Sequence, residues 1–174
     1  VWALIAQAQA CTKNGLGSDR DAPYRYFTYL SPAHRAAHPA RGPVYGLEPY
    51  VMAADVYSQP PYVGRGGWSW YTGAAAWMHR AAIGAIFGLT QEAKTLVFHP
   101  CLPSHWPGAE LTLRRDGRRL HFVLQRMPLP LAIDRPPEQG DHWLLPGQPL
   151  HWADVAAESR FVVPLAPAEP APGA

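Results

Sequence analysis

Apolar residues change their spacing partway along this chain, and that change limits the folds open to it. After Lys94, apolar side chains alternate with polar or basic ones: Leu111 and Leu113, then Leu120, Phe122 and Leu124. A period of two marks strands with one buried face. Asp116-Gly117 lies between the two runs and is the turn chemistry of a tight hairpin. The pattern predicts strands over residues 110–115 and 118–126, with further short strands over 142–145 and 160–163.

Before Lys94 the pattern is helical, broken by Gly and Pro. Residues 1–10 read as the tail of a buried helix, stopped at Asn14-Gly15-Leu16-Gly17, with Ser18 or Asp19 able to cap the next segment. Residues 24–30 are aromatic and fit helix or strand. Pro32, Pro39, Gly42, Pro43 and Gly46 predict a long loop over residues 31–47. Residues 50–57 read as a short apolar helix opened by Pro49. Residues 59–70 read as a second loop, dense in Gly and aromatics. Residues 71–89 are the strongest helix, rich in Ala, with Trp77, Ala81, Gly84 and Gly88 on one small-residue face and Gly88 as its stop. Helices first and strands second predict an α+β fold, with the boundary between about residues 90 and 108.

Composition narrows the function classes. A net charge of +2, from 15 basic and 13 acidic residues, argues against a nucleic-acid binder driven by phosphate neutralisation. No apolar run approaches about 18 residues, so this segment holds no membrane-spanning helix. Cys11 and Cys101 lie too far apart in sequence to suggest a disulfide scaffold or a zinc site. Twenty Pro, 15 Gly and seven Trp point to loops around aromatic-lined surfaces rather than long helices. The apolar opening Val1-Trp2-Ala3-Leu4-Ile5-Ala6 has no basic region before it. It reads as part of a buried helix rather than a signal peptide, and so as the continuation of a larger protein.

The chemistry concentrates in Gly64-Arg65-Gly66-Gly67-Trp68-Ser69-Trp70-Tyr71-Thr72-Gly73. Thr72-Gly73 opens a helix, where backbone N–H groups, a hydroxyl and a small residue suit an oxyanion or phosphate. It is not a P-loop, since the Gly-Lys-Ser/Thr ending and a preceding strand are both absent. The plainer alternative is a capped helix with Trp68, Trp70 and Trp77 as core. Tyr57, Tyr62, Trp68, Trp70 and Tyr71 crowd beside Arg65, Asp55 and Glu48. Sugar rings stack on aromatic faces while charged groups bind their hydroxyls, which fits a small-molecule pocket; core packing is the rival account of each ring.

Two stretches carry a resemblance. Glu48-Pro49-Tyr50-Val51-Met52-Ala53-Ala54-Asp55-Val56-Tyr57, with the Gly64-to-Gly73 run and Pro100-Cys101-Leu102-Pro103-Ser104-His105-Trp106-Pro107-Gly108, resembles the C-terminal part of family 94 of the glycoside hydrolases. The wording is most similar to the cyclic β-1,2-glucan synthase branch. The resemblance runs from Val1 to about Arg126 and is weak beyond. It implies the closing helices of an (α/α)6 barrel (residues 1–93) and a β-sandwich-like C-terminal lobe (94–166); the Pro- and Ala-rich composition of the last residues predicts a disordered tail (167–174). The resemblance also implies inverting phosphorolysis of β-glucosidic bonds, with inorganic phosphate as co-substrate and no further cofactor.

Residue by residue, the resemblance places phosphate binding on Thr72 and Gly73. The family's phosphate-binding His falls on Arg35 in an ungapped alignment, with His34 one residue early. His34 is preferred, Arg35 is a substitute cation, and His38 is a weaker candidate. Arg65 is a phosphate or sugar contact, or a surface loop Arg. Trp68, Trp70 and Tyr71 are the substrate-binding aromatics. The family's general acid, an Asp in a Gly-Asp-Trp-Asn-like motif, has no counterpart here, so no catalytic residue is assigned. Glu48 reads as a helix-start charge, and Asp55 as a side chain holding a loop or Arg65. His79, His99 and His105 read as structural or surface residues with no zinc-like spacing, and Cys101 as inert. Arg114, Arg115, Arg118 and Arg119 read as a solvated strand face ahead of a basic patch.

The expected partners are a β-glucan or oligosaccharide, inorganic phosphate and the rest of the parent chain. Neither nucleic acid nor membrane contact is expected from this segment. The expected location is the cytoplasmic side, with bacterial inner-membrane anchoring, if any, residing in the parent. The rival function is a non-catalytic carbohydrate-binding or structural module with a degenerate phosphate site, motivated by the irregular Ser31-to-Arg35 loop.

Overall fold

The computed structural model describes residues 1–14, 19–128, 133, 137–138 and 140–167. The expected stop at Gly15-Leu16-Gly17, the Ser18 cap and residues 168–174 of the expected tail lie outside the described residues. The chain divides into two compact units, Val1–Ala85 and Ile86–Ala174. Helices fill the first and strands the second, so the α+β class holds.

In the first unit, α1 (Trp2–Asn14) buries Leu4, Ala8 and Cys11, a stripe at helical spacing. It packs on α2 (Ala22–Leu30), where the 24–30 segment settles as helix. Asp19 supports the start of α2: its carboxylate accepts the N–H groups of Asp21 at 3.0 Å and Ala22 at 3.1 Å. The 31–47 segment is not one loop. It holds α3 (Pro32–Ala36) and α4 (Gly42–Tyr45), each with Pro in its first turn. The prolines that read as loop markers are helix starters here, because a first-turn residue needs no N–H partner and Pro fixes a helical φ.

Residues 50–57 are not helical. Their backbone is an extended arm that pairs with residues 65–68: Ala54 N–H donates to Trp68 at 2.8 Å, Tyr57 N–H to Arg65 at 2.9 Å, and Gly67 N–H to Asp55 at 3.0 Å. Val51 and Ala53 are buried two residues apart, the period of an extended chain. Cross-chain pairing outweighed the modest helix preference of this short apolar run. Glu48 therefore has no helix start to stabilise. The strongest expected helix is present as α5 (Thr72–Ala81), continued by one π-helical turn (Ala82–Ile86). Met78, Ala81 and Ala85 form its buried stripe.

In the second unit, β1 (Leu89–Glu92), β2 (Thr95–Phe98) and β6 (Leu150–His151) form a small antiparallel sheet. A four-stranded sheet has the order β3 (Gly108–Arg115), β4 (Arg118–Arg126), β7 (Glu158–Leu165), β5 (Asp141–Trp143). The β3–β4 hairpin has the expected register, Arg115 opposite Arg118, with φ of 51° at Asp116 and 73° at Gly117. Both neighbours of β7 run parallel to it. Enclosed between them, β7 buries Phe161, Val162 and Val163 in a row, and the alternation seen in β4 disappears. Leu120, Phe122 and Leu124 of β4 are wholly buried, as their spacing predicts.

Arg115 and Arg118 of the expected strand face have partners. The Arg115 guanidinium lies 5.2 Å from the Trp152 ring centroid, and Arg118 donates to the Trp152 carbonyl. Arg126 ties the Pro-rich crossover to the sheet through the carbonyls of Trp106, Pro103 and Ala166, each at 2.9 Å. Among the described residues, no helix is long and apolar enough to cross a membrane.

Candidate functional site

The paired arms of residues 54–57 and 64–68 form a hairpin-like loop that delivers the chain to the start of α5. The Tyr71 N–H donates to Met52 at 3.3 Å and the Ala75 N–H to Tyr71 at 3.2 Å. The N–H groups of Thr72, Gly73 and Ala74 have no protein acceptor among the described residues. A helix of ten residues thus begins with three convergent donors, beside the Thr72 hydroxyl. Thr72 and Gly73 are both exposed.

The aromatics before this helix are not core. Trp68 is 74% exposed and Trp70 is 68% exposed. Trp68 lies 5.6 Å from Tyr71, and Trp70 meets the exposed Tyr50 edge-on at 6.4 Å. Trp70 has φ of 60°, a left-handed backbone that bulky residues avoid. Trp77, which the plainer alternative put in the core with them, is exposed and meets Trp2 edge-on at 5.7 Å. A cavity of about 450 Å³ lies between Trp2, Tyr71, Gly73, Ala74 and Trp77.

Arg65 lines a different cavity, of about 380 Å³, together with Tyr45, Tyr57, Tyr62, Gly66 and Gly67. Its guanidinium sits 5.7 Å from the Tyr62 ring centroid. Among the described residues no hydrogen bond joins it to Asp55, so Asp55 does not hold Arg65. The Asp55 carboxylate instead fills the space beside Gly67. Burial pushes the Tyr45 phenol up in pKa. Nearby Arg35 and a hydrogen bond from the Ala53 backbone pull it partly back, and Glu48 adds to the rise.

Besides Arg65, the three candidates for the family's phosphate-binding His differ in availability. His34 is exposed, with Nδ1 3.0 Å from the Ser31 hydroxyl and its ring edge-on to Tyr24 at 6.3 Å. Arg35 donates through Nε to the Tyr29 carbonyl and lies 6.0 Å from the Tyr45 ring centroid. His38 accepts the N–H groups of Ala40 at 3.2 Å and Arg41 at 3.3 Å on Nδ1. Gly73 and Tyr71 share one cavity and Arg65 lines the other, while Thr72 and His34 are in neither lining. Sequence reasoning missed Tyr50, which sat in the expected helix, and Tyr45, whose place in the cavity lined by Arg65 depends on the unforeseen α4. Among the described residues, no group of three His, Cys, Asp or Glu side chains is placed to hold a metal.

Residues 1–88 match the glycosyl hydrolase 94 superfamily, catalytic domain. The chain is 42% identical over 103 residues, 59% of its length, to a cyclic beta-(1,2)-glucan synthase of Rhizobium meliloti (strain 1021). It is 28% identical over 131 residues, 71% of its length, to N,N'-diacetylchitobiose phosphorylases of Vibrio proteolyticus and Vibrio furnissii. The chain spans 4% of the synthase and 14% of each phosphorylase.

Proposed function

Because the chain belongs to the glycosyl hydrolase 94 superfamily, we propose that it supplies the closing part of a catalytic domain that cleaves β-glucosidic bonds by inverting phosphorolysis. Its first unit would complete an (α/α)6 barrel and its second would be a β-sandwich-like lobe. The synthase relative favours a parent acting on β-1,2-glucan, with sugar and inorganic phosphate as substrates and no other cofactor. We place this parent on the cytoplasmic side, its membrane anchorage, if any, lying in other segments.

One observation carries the reading: the start of α5, where the Thr72, Gly73 and Ala74 N–H groups converge unpartnered beside the Thr72 hydroxyl. Phosphate is already anionic, so it needs donors and positioning more than a base. One phosphate oxygen would attack the anomeric carbon as the glycosidic C–O bond breaks on the opposite face. The leaving oxygen would take its proton from a general acid outside this chain. The exposed rings of Trp68, Trp70 and Tyr71 would stack the sugar beside the attacking phosphate, and His34 would supply the cation.

In the parent enzyme, Thr72→Val is expected to raise the KM for phosphate by roughly 10–100-fold, the loss of one hydrogen bond to a charged group worth about 1.5–3 kcal/mol. The isolated chain is expected to release no glucose 1-phosphate from β-1,2-linked oligomers; release would overturn the assignment of the acid elsewhere. One observation favours a second reading, a carbohydrate-binding module with a degenerate phosphate site. Arg35, which takes the place of the family's His, is engaged by the Tyr29 carbonyl. A parent protein with no response to phosphate in any assay would select that reading.

A further inference from the structure

Arg65 and Gly73 line separate cavities, so the cation of the Gly-rich loop and the helix start need not serve one ligand. We propose that the cavity between Tyr57, Tyr62 and Arg65 is a binding site for a neutral oligosaccharide, distinct from the phosphate position at Thr72-Gly73. The location stands on the geometry alone; the choice of saccharide among neutral polyols rests on the proposed carbohydrate function.

Every residue of the cavity lining falls between Tyr45 and Gly67. The buried Tyr45 forms its floor. The Tyr57 and Tyr62 rings stand 6.1 Å apart with planes at 55°, and both side chains are exposed, with Arg65 over one face of Tyr62. The Arg65 guanidinium is steadied over the Tyr62 ring, and no carboxylate pairs with it among the described residues. Its N–H edge is left to donate to hydroxyl groups. Gly66 and Gly67 let the Leu47 side chain and the Asp55 carboxylate close on the loop backbone: a Cβ on Gly66 would run into Leu47, and one on Gly67 into Asp55. The volume, about 380 Å³, lies within the range of small-molecule sites, about 300–1,000 Å³.

The same geometry disfavours an anion. Phosphate sites gather several convergent N–H donors. Here the Tyr57 N–H goes to Arg65, Arg65 to Tyr62, Gly66 to Tyr45, Gly67 to Asp55 and Gly46 to Gly42, all at 2.9–3.0 Å. One cation remains, and the Asp55 carboxylate against Gly67 adds negative charge nearby. A ligand rich in hydroxyls and poor in charge fits this balance, because it can donate to Tyr and carbonyl oxygens while accepting from Arg65.

The test is a backbone-amide NMR titration of the 174-residue chain with three probes: β-1,2-linked glucotriose, N,N'-diacetylchitobiose and inorganic phosphate. Either saccharide is expected to shift the amides of residues 57–67, and the affinity read from those amides is expected to fall at least ten-fold in both Arg65→Gln and Tyr62→Ala. Tyr62→Phe, which keeps the ring under Arg65, should retain affinity within about three-fold. Phosphate is expected at residues 72–74 and not at 57–67. The proposal is overturned if neither saccharide shifts residues 57–67, if those shifts persist at unchanged affinity in both variants, or if phosphate is the probe that responds to Arg65→Gln. A missing phosphate response at residues 72–74 with saccharide binding intact would count against the phosphorolysis reading and leave this site standing.

Discussion

Gly88 and His99 lie backbone against backbone. The His99 N–H donates to the Gly88 carbonyl at 2.8 Å, and the His99 carbonyl occupies the place where a Gly88 side chain would project. Gly88 also has φ of 78°, a conformation that any L side chain resists. Gly88→Ala therefore meets two penalties, and neither neighbour is the end of a side chain that can swing away. The expected cost is about 2–5 kcal/mol, from left-handed strain and overpacking together. Thermal unfolding should show the melting temperature of the strand-rich unit falling. An unchanged melt would mean that this backbone contact does not form.

Phe122 is wholly buried between Phe98, at 4.7 Å, and Phe161, stacked at 5.5 Å. Removing it leaves a cavity that flanking rings cannot fill, because each is held by its own strand. Phe122→Ala is expected to cost about 3–5 kcal/mol in denaturant unfolding followed by near-ultraviolet circular dichroism. Trp68→Ala, which removes a larger but exposed ring, should stay within about 0.5 kcal/mol. Equal losses from the two substitutions would contradict the burial described for β4.

Asp19 and Arg25 give the stability of the helical unit an acid-side dependence. The Arg25 guanidinium donates to the Asp19 carboxylate and holds its pKa below the ordinary aspartate value. A carboxyl whose folded pKa is depressed stabilises the fold at pH above its unfolded value. That contribution is lost as pH falls through the folded pKa. Both side chains are about half exposed, so the contribution should be small and shrink with added salt. In an acid titration of helical circular dichroism, Asp19→Asn should flatten the drop below the ordinary aspartate range and lie close to the wild-type curve at 1 M salt. A wild-type profile with the same slope as Asp19→Asn would remove this pair as its cause.

Much of the second unit could be read from residues alone, because its strands carry their own instructions. Leu120, Phe122 and Leu124 state the buried face of β4, and Asp116-Gly117 states the turn. The β1–β2 hairpin went unread, since its strands span four residues each and only Leu96 and Phe98 mark a buried face. The loops before α5 misled for a different reason. Residues 50–57 have helix-compatible side chains, and only their pairing with residues 65–68, beyond the span of a helical turn, draws them out of a helix. Pro32 and Pro43 stand equally well in a loop or at a helix start, and local sequence does not separate the two. Thr72-Gly73 was legible as a helix start, while the division of Gly73 and Arg65 between two cavities needed the fold of the intervening hairpin.

Trp70 offers a way to separate ligand binding from stability at one position. Its φ of 60° holds a bulky residue in left-handed backbone, which costs about 1–2 kcal/mol. Its ring is two-thirds exposed and has, among the described residues, one aromatic neighbour, Tyr50. Trp70→Gly relieves the strain, because glycine accepts this φ freely, and gives up an aromatic contact worth about 0.5–1.5 kcal/mol together with glycine's extra unfolded-state entropy, about 0.5–1 kcal/mol. These contributions nearly cancel, so the melting temperature of the chain should barely move. If the ring stacks a sugar, the parent enzyme carrying Trp70→Gly should show a KM for saccharide raised roughly 5–30-fold, equivalent to about 1–2 kcal/mol, with the KM for phosphate unaltered. A large fall in melting temperature would make Trp70 a packing residue. A shift confined to the phosphate KM would move it from the sugar to the anion, because only a ring lying against phosphate could weaken that substrate alone.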